Sequence, residues 1–157
     1  MRLYLVQHGV AVPEAEDPAR PLSAKGREEV ARTAQVLARM DISVDAIRHS
    51  GKLRARQTAE LIARSVKAAE GLVEASGLAP NDPAAPVAAE LANAAHDLML
   101  VGHLPHLARL ASLLVAGRES PSAVEMHMGG VVCLERAPQG SWRVVYAVPP
   151  DLLPASG

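Results

Sequence analysis

Short apolar segments alternate with longer amphipathic segments along the chain. The apolar segments are four to seven residues long and fit buried strands, whereas the amphipathic ones repeat their apolar positions every three or four residues, as helices do. Strands that alternate with helices predict an α/β layered sandwich, in which helices flank a mostly parallel sheet. The predicted strands are 3–6, 44–47, 97–102, 130–134 and 142–148, and the predicted helices are 23–40, 53–66, 84–95 and 105–117.

Capping and turn residues set the ends of several elements. Ser23 is the predicted N-cap of the first helix. The pair Asp82-Pro83 is typical of an N-cap followed by proline at the first helical position, so it predicts the start of the third helix. Gln139-Gly140 lies between the last two predicted strands and predicts a hairpin turn.

Composition excludes several classes of protein. The 157 residues, 49% of them apolar, fit one folded domain over residues 1–157. The 16 basic residues are balanced by 17 acidic ones, and one Trp and two Tyr are the only aromatic residues. We therefore expect no nucleic-acid-binding surface. The single cysteine, Cys133, excludes an internal disulfide and a zinc site with several cysteines.

No apolar stretch reaches the roughly 18 residues that a membrane span requires. Only four consecutive apolar residues follow Arg2, which is too few for the core of a signal peptide. The sequence therefore predicts a cytoplasmic protein that does not enter a membrane.

Residues suited to phosphate chemistry follow three predicted strands. His8 follows the first strand, Arg54 lies just beyond the second, and His103 follows the strand 97–102. Because ligands of open α/β sheets bind beyond the carboxyl ends of the strands, we expect these side chains to converge. A neutral imidazole can attack phosphorus, while an arginine and a protonated second histidine neutralise the phosphate oxygens. The pattern predicts a phosphoryl-transfer site.

These residues resemble the histidine phosphatase superfamily, whose hallmark is an Arg-His-Gly motif at the end of the first strand. The closer resemblance is to its small SixA-type phosphohistidine phosphatases, and it implies the phosphoglycerate mutase-like fold. One such motif is weak evidence, but four in the same order are specific. The matching segments are Leu5-Val6-Gln7-His8-Gly9, Arg20-Pro21-Leu22-Ser23 with Gly26, Ser50 with Arg54-Ala55 and Gln57-Thr58, and Val101-Gly102-His103-Leu104-Pro105.

The resemblance implies a role for each site residue. His8 matches the nucleophile that becomes phosphorylated, Arg54 matches the second phosphate-binding arginine, and His103 matches the second catalytic histidine. The implied substrate-binding residues are Gln7, Gly9, Arg20 and Ser50, of which Arg20 matches a loop arginine near the rim.

Two positions depart from the family pattern. Gln7 replaces the first arginine, so it keeps hydrogen-bonding capacity but lacks the charge and the bidentate fork, and we expect weaker phosphate binding. Gly77 aligns with the glutamate that protonates the leaving group in relatives, although Glu74 and Asp82 are close in sequence. Phosphohistidine needs such an acid less than an alkyl phosphate does, because imidazole has a pKa of about 6.5.

The preferred interpretation is a metal-independent phosphohistidine phosphatase without a cofactor, which forms a phosphohistidine on His8 and releases inorganic phosphate. The resemblance implies a histidine-phosphorylated partner, such as a phosphotransfer domain of a bacterial signalling relay. Two alternatives stay open: a weakened or inactive module that binds phosphate or a phosphoprotein, and a small-molecule phosphomonoesterase. His103 and His106 are spaced like metal ligands, but no third ligand stands at clear spacing, so no metal site is predicted.

Overall fold

Strands and amphipathic helices alternate in the structure, as the hydrophobic pattern predicts, but the strand at 142–148 is exposed or half-buried along its whole length. The computed structural model describes residues 1–155, so the last two residues of the predicted domain lie outside the described residues. The strands are β1 (Arg2–Gln7), β2 (Ser43–Val44), β3 (Ala46–His49), β4 (Lys67–Ala68), β5 (Leu72–Glu74), β6 (Leu98–Gly102), β7 (Val131–Arg136) and β8 (Trp142–Val148). The helices are α1 (Ala24–Arg39), α2 (Leu53–Ala63), α3 (Ala85–Ala92) and α4 (His106–Ala116), followed by a 3₁₀ helix at Pro150–Leu152.

The main sheet contains six strands in the order β5-β3-β6-β1-β7-β8. The first four are parallel, and β7 and β8 are added antiparallel at one side. The predicted α/β fold with a mostly parallel sheet is thus confirmed. Gln7 lies beside Gly102 and His49 lies beside Val101, so the carboxyl ends of β1, β3 and β6 meet at one edge of the sheet.

Different helices cover the two faces of the sheet. Tyr4 and Val6 of β1 pack in one core with residues of α1 and α2, whereas Leu3 and Leu5 pack in a second core with residues of α3 and α4. This division follows from the strand geometry, because successive side chains point to opposite faces. No helix within residues 1–155 is long and apolar enough to cross a membrane.

The region of the predicted strand 44–47 is more finely divided than the sequence indicates. The Asp45 amide donates to the carbonyl of Asp97, which separates β2 from β3. Strand β2 then pairs with β4, whereas β3 joins the main sheet. Strands β4 and β5 have two and three residues, too few to produce a recognisable alternation in the sequence.

Helix α3 begins later than the predicted cap at Asp82. The carboxylate of Asp82 accepts a hydrogen bond of 2.9 Å from the Ala79 amide, so it closes a turn before the helix and does not cap it. Aspartate side chains bond to nearby backbone amides in turns as they do at N-caps. The helix instead runs from Ala85 to Ala92, three residues short of the predicted end.

Close contact between α1 and the segment after β1 depends on Gly26. A Cβ at Gly26 would lie 2.1 Å from the Val10 carbonyl oxygen. That same oxygen accepts hydrogen bonds from the amide and the hydroxyl of Ser23, the N-cap of α1. The start of α1 is therefore fixed against the segment that continues from the candidate nucleophile His8.

We predict that Gly26→Ala lowers the free energy of unfolding by about 1–3 kcal/mol, because the added methyl group overlaps a backbone oxygen that cannot move freely. We expect this loss of stability although alanine is more favourable than glycine in a helix interior by about 1 kcal/mol. Urea denaturation measures the difference. Lys25→Ala, at an exposed position of the same turn, serves as the control and should change stability by less than about 0.5 kcal/mol. Equal or higher stability of Gly26→Ala would show that the contact is not tight.

Candidate active site

Three strand ends bring the candidate catalytic residues together. His8 follows β1, Ser50 follows β3, and His103 follows β6. The amide of His8 donates to the carbonyl of Gly102, which extends the pairing of β1 with β6 by one residue. The ring centroids of His8 and His103 lie 5.0 Å apart. The two histidines are thus close enough to contact one phosphoryl group.

A backbone hydrogen bond fixes the tautomer of His8. Its Nδ1 lies 2.7 Å from the carbonyl oxygen of Gly9. Because a carbonyl oxygen can only accept, Nδ1 carries the proton and Nε2 keeps its lone pair. Burial lowers the pKa of His8, and the positive charges of Arg54 and Arg20 lower it further, in opposition to the Gly9 hydrogen bond. His8 is therefore a neutral imidazole with a free nucleophilic nitrogen near neutral pH.

Gly9 positions its neighbours through both of its backbone polar groups. Its carbonyl accepts from His8, and its amide donates to Thr58 Oγ1 at 3.0 Å. Its missing side chain is also required, since a Cβ would lie 2.8 Å from Val30 Cγ2. Its amide is already bonded within the protein, and contact of Gly9 with substrate stays a prediction. We assign it a positioning role.

Thr58 connects Gly9, the residue after the candidate nucleophile His8, to Arg54. Its hydroxyl accepts from the Gly9 amide and donates to the carbonyl of Arg54, one helical turn earlier in α2. Gln57 supplies a second connection, because its Oε1 accepts from the amide of Leu22 at 2.8 Å. Both residues belong to the motif around Arg54, but their positioning roles become visible only in the hydrogen bonds.

Arg54 lies in the first turn of α2, at the carboxyl edge of the sheet. Burial lowers the pKa of its guanidinium, and the charge of Arg20 lowers it further. Its Nε is buried and has no hydrogen-bond partner within residues 1–155. A buried donor without a partner is costly, so a phosphate oxygen that accepted from it would remove this cost. The amino end of α2 adds a positive dipole at the same place.

His103 is held by Ser50 and surrounded by cations. Its Nε2 shares a hydrogen bond of 2.6 Å with Ser50 Oγ. Burial lowers the pKa of His103 to about 3, and the neighbouring His8 ring and the charges of Arg54 and Lys52 act in the same direction. His103 is therefore neutral at pH 7 in the free site, and its protonation beside a bound phosphate stays a prediction. Ser50, expected to bind substrate, orients this histidine.

Two further cations lie around the site. Arg20 is close enough to lower the pKa of His8 and of Arg54, and its Nε donates to the Val12 carbonyl at 3.3 Å. Its φ of 48° is unusual for a residue with a side chain. Lys52 is the N-cap residue of α2, and its charge acts on His103. Lys52 is not among the residues predicted from the sequence, where its only signal is its place between Ser50 and Arg54.

Gln7 is buried at the end of β1, with 8% of its surface exposed. Its Oε1 has no hydrogen-bond partner within residues 1–155. It lies in register with Gly102, the residue before His103. Gln7 therefore lies between the two strand ends, and it brings no positive charge there.

A cavity of about 540 Å³ lies beside Ser50. Gly77 lines it, and glycine supplies no carboxyl group. Glu74 and Asp82 also line it. The side chain of Glu74 packs against Gly51, whose φ of +89° and missing Cβ make room for the carboxylate. Two carboxyl groups thus line the cavity that Ser50, the hydrogen-bond partner of His103, also lines.

His106 is buried in α4, three residues after His103, and neither of its ring nitrogens has a hydrogen-bond partner within residues 1–155. Burial lowers its pKa, so the ring is neutral at pH 7. The same described part of the chain contains no group of three His, Cys, Asp or Glu side chains placed to hold a metal ion.

Residues 3–97 match the sequence profile of the histidine phosphatase superfamily (branch 1). This range includes His8 and Arg54. An uncharacterized protein of Picosynechococcus is 38% identical in an alignment of 125 positions that covers 75% of this chain and 75% of that protein.

Solved structures support the same fold. The protein histidine phosphatase SixA, complexed with tungstate, has a TM-score of 0.82 and 22% identity, with 97% of this chain and 99% of that chain covered. The alpha-ribazole phosphatase from Shigella flexneri has a TM-score of 0.77 and 16% identity, with 96% and 97% covered. At these identities the likeness shows the fold alone, and the two proteins act on different substrates.

We predict that His103 stays neutral between pH 5 and 8 in the free protein and that its pKa rises when phosphate binds. Burial and the surrounding cations depress the pKa of the free site to about 3, and a bound dianion offsets the cationic field. Titration of the His103 ring signals by NMR, with and without saturating phosphate, measures both values. A free-protein titration near the ordinary 6.5 would contradict the electrostatic description.

Proposed function

We propose a reaction for this chain, which belongs to the histidine phosphatase superfamily (branch 1). The chain removes phosphate from phosphohistidine on a partner protein, through a phosphohistidine intermediate on its own His8. The observation that carries the proposal is the hydrogen bond from His8 Nδ1 to the Gly9 carbonyl. That bond leaves Nε2 free to attack, in a site that also contains Arg54 and His103.

In the first step, Nε2 of His8 forms a bond to phosphorus while the phosphorus–nitrogen bond of the substrate breaks. The electron pair of that bond goes to the substrate ring, which leaves as neutral imidazole when its other nitrogen carries a proton. Arg54 donates to the phosphate oxygens, and the amino end of α2 adds its dipole. His103 takes up a proton as the dianion offsets the surrounding cations, and then donates to the same group.

In the second step, water attacks the phosphorus atom of the intermediate. The bond from phosphorus to Nε2 breaks, its electron pair returns to His8, and a proton of the water passes to the departing phosphate. The Gly9 carbonyl keeps Nδ1 protonated throughout. The nucleophile therefore returns to its starting tautomer without a rotation of the ring.

Phosphohistidine suits this site better than an alkyl phosphate does. Gly77 supplies no acid at the position assigned to the proton donor of relatives. An alkoxide leaving group needs a proton in the transition state, whereas imidazole, with a pKa of about 6.5, leaves near neutral pH without a strong acid. The neutral Gln7 also makes the site less cationic than one with a second arginine.

The cavity beside Ser50 favours a second candidate, a phosphomonoesterase. Glu74 and Asp82 line this cavity, so a carboxylic acid from either residue has access to a leaving group placed there. In this case the leaving oxygen takes its proton from the carboxyl group, and a neutral alcohol departs. Activity on alkyl phosphates as high as on phosphohistidine would favour this candidate.

We predict that His8→Ala lowers phosphohistidine hydrolysis on the order of 10⁶-fold, or to the assay background, because no other group replaces the covalent step. The measurement compares the two purified proteins on phosphohistidine and on a panel of alkyl phosphates. Circular dichroism and thermal unfolding verify that the variant is folded. Equal activity of the variant and the wild type would overturn the mechanism.

We predict that Gln7→Arg raises kcat on phosphohistidine by up to about 100–1000-fold, the range that one preorganised donor typically contributes. The guanidinium replaces neutral hydrogen bonds with charge-assisted ones at a position where the Gln7 oxygen has no partner within residues 1–155. The gain should appear in kcat as well as KM, since charge on the transferred oxygens changes in the transition state. His8→Ala is the blank. Activity in neither protein would favour a phosphate-binding module, and a faster wild type would show that Gln7 is no handicap.

A further inference from the structure

Two exposed apolar side chains flank the catalytic residues. Leu104 directly follows His103 and is 37% exposed, and Met128, whose backbone forms a bridge with Gln7, is 43% exposed. Single exposed apolar residues are common on protein surfaces. These two differ because each adjoins a residue of the site at the same edge of the sheet, Leu104 next to His103 in sequence and Met128 next to Gln7 through the bridge. Methionine is also enriched in protein interfaces.

Cations complete this rim. Lys52 is exposed, lies two residues after Ser50, and donates from its amide to Ser50 Oγ at 3.4 Å. Arg20 is half-buried in the loop that Gln57 holds against α2. Neither Lys52 nor Arg20 forms an ion pair with another side chain of residues 1–155. Both charges are therefore free to meet carboxylates of a partner.

We infer that Leu104, Met128, Arg20 and Lys52 form a docking rim for a phosphohistidine-bearing protein. The partner would present apolar side chains and carboxylates around its phosphorylated histidine, so that apolar residues meet Leu104 and Met128 and acidic residues meet the two cations. The inference rests on the proposed function, because it names the surface through which that substrate binds.

Substrate size separates this rim from the catalytic site. A free phosphohistidine contacts the protein only through its phosphoryl group and its leaving ring. An inorganic phosphoramidate has only its phosphoryl group and its amine for such contacts. Only a substrate with a protein surface extends to the exposed side chains of Leu104 and Met128. The rim therefore affects a protein substrate and leaves the chemistry on a small substrate unchanged.

The test is a double substitution, Leu104→Ser with Met128→Ser. Its substrates are a phosphotransfer domain of a bacterial sensor kinase, phosphorylated on its histidine, and free phosphohistidine. We expect KM for the domain to rise about tenfold or more, as expected when one or two interface anchors are lost. Both kcat and the hydrolysis of free phosphohistidine should stay within about twofold. The control is Met40→Ser with Leu72→Ser, at matched exposures of 44% and 39% but at the end of α1 and the start of β5.

A binding measurement makes the result independent of turnover. The phosphorylated domain is titrated into His8→Ala protein, with and without each pair of substitutions. A loss of affinity confined to the Leu104/Met128 pair supports the rim, even where the wild type hydrolyses nothing and the proposed function fails. The inference would be overturned by equal losses of affinity for both pairs, by no change, or by no binding of the domain at all. It would also be overturned by an equal fall in activity on the domain and on free phosphohistidine.

Discussion

The hydrogen bond from His8 to the Gly9 carbonyl is the constraint on which the active site depends. It gives the ring one tautomer and leaves one nitrogen available for attack on phosphorus. The bond requires that Gly9 hold its backbone orientation, which Thr58 secures by accepting from the Gly9 amide. Close packing around Gly9 and Gly26, where a side chain would overlap its neighbours, keeps α1 against this turn. Backbone geometry thus prepares the ring of His8, the proposed nucleophile.

Electrostatics then determine what the site binds. Burial lowers the pKa of both His8 and His103, so both imidazoles are neutral while no anion is present. The charges of Arg54 and Arg20 lower the pKa of His8 further, and those of Arg54 and Lys52 lower that of His103. A site of this kind attracts a dianion and shares its charge with a histidine that gains a proton. Gln7 is neutral, so it adds no positive charge at its position between the two strand ends. The remaining charge therefore rests on Arg54, with Arg20 and Lys52 at the rim.

The sequence predicts the sheet and its site residues because both depend on local patterns that repeat along the chain. Strands β1 and β6 are continuous apolar segments, and His8 and His103 stand directly after them. The features that the sequence does not predict come from contacts between distant segments. The bond between Gly9 and Thr58 joins residues 49 positions apart, and the neutral state of His103 arises from burial and from charges on other elements. Asp82 shows the reverse case, in which a local signal fits two structures and the turn prevails over the cap.

The most direct test of the covalent mechanism is to identify the phosphorylated residue during turnover. The protein is mixed with radiolabelled phosphohistidine on a phosphotransfer domain, quenched within milliseconds in alkali, where phosphohistidine is stable, and digested for mass spectrometry. The mechanism predicts label on the peptide that contains His8, at the ring nitrogen Nε2, with formation and decay as fast as phosphate release. Phosphate release without labelled protein, or label on His103 in place of His8, would contradict it.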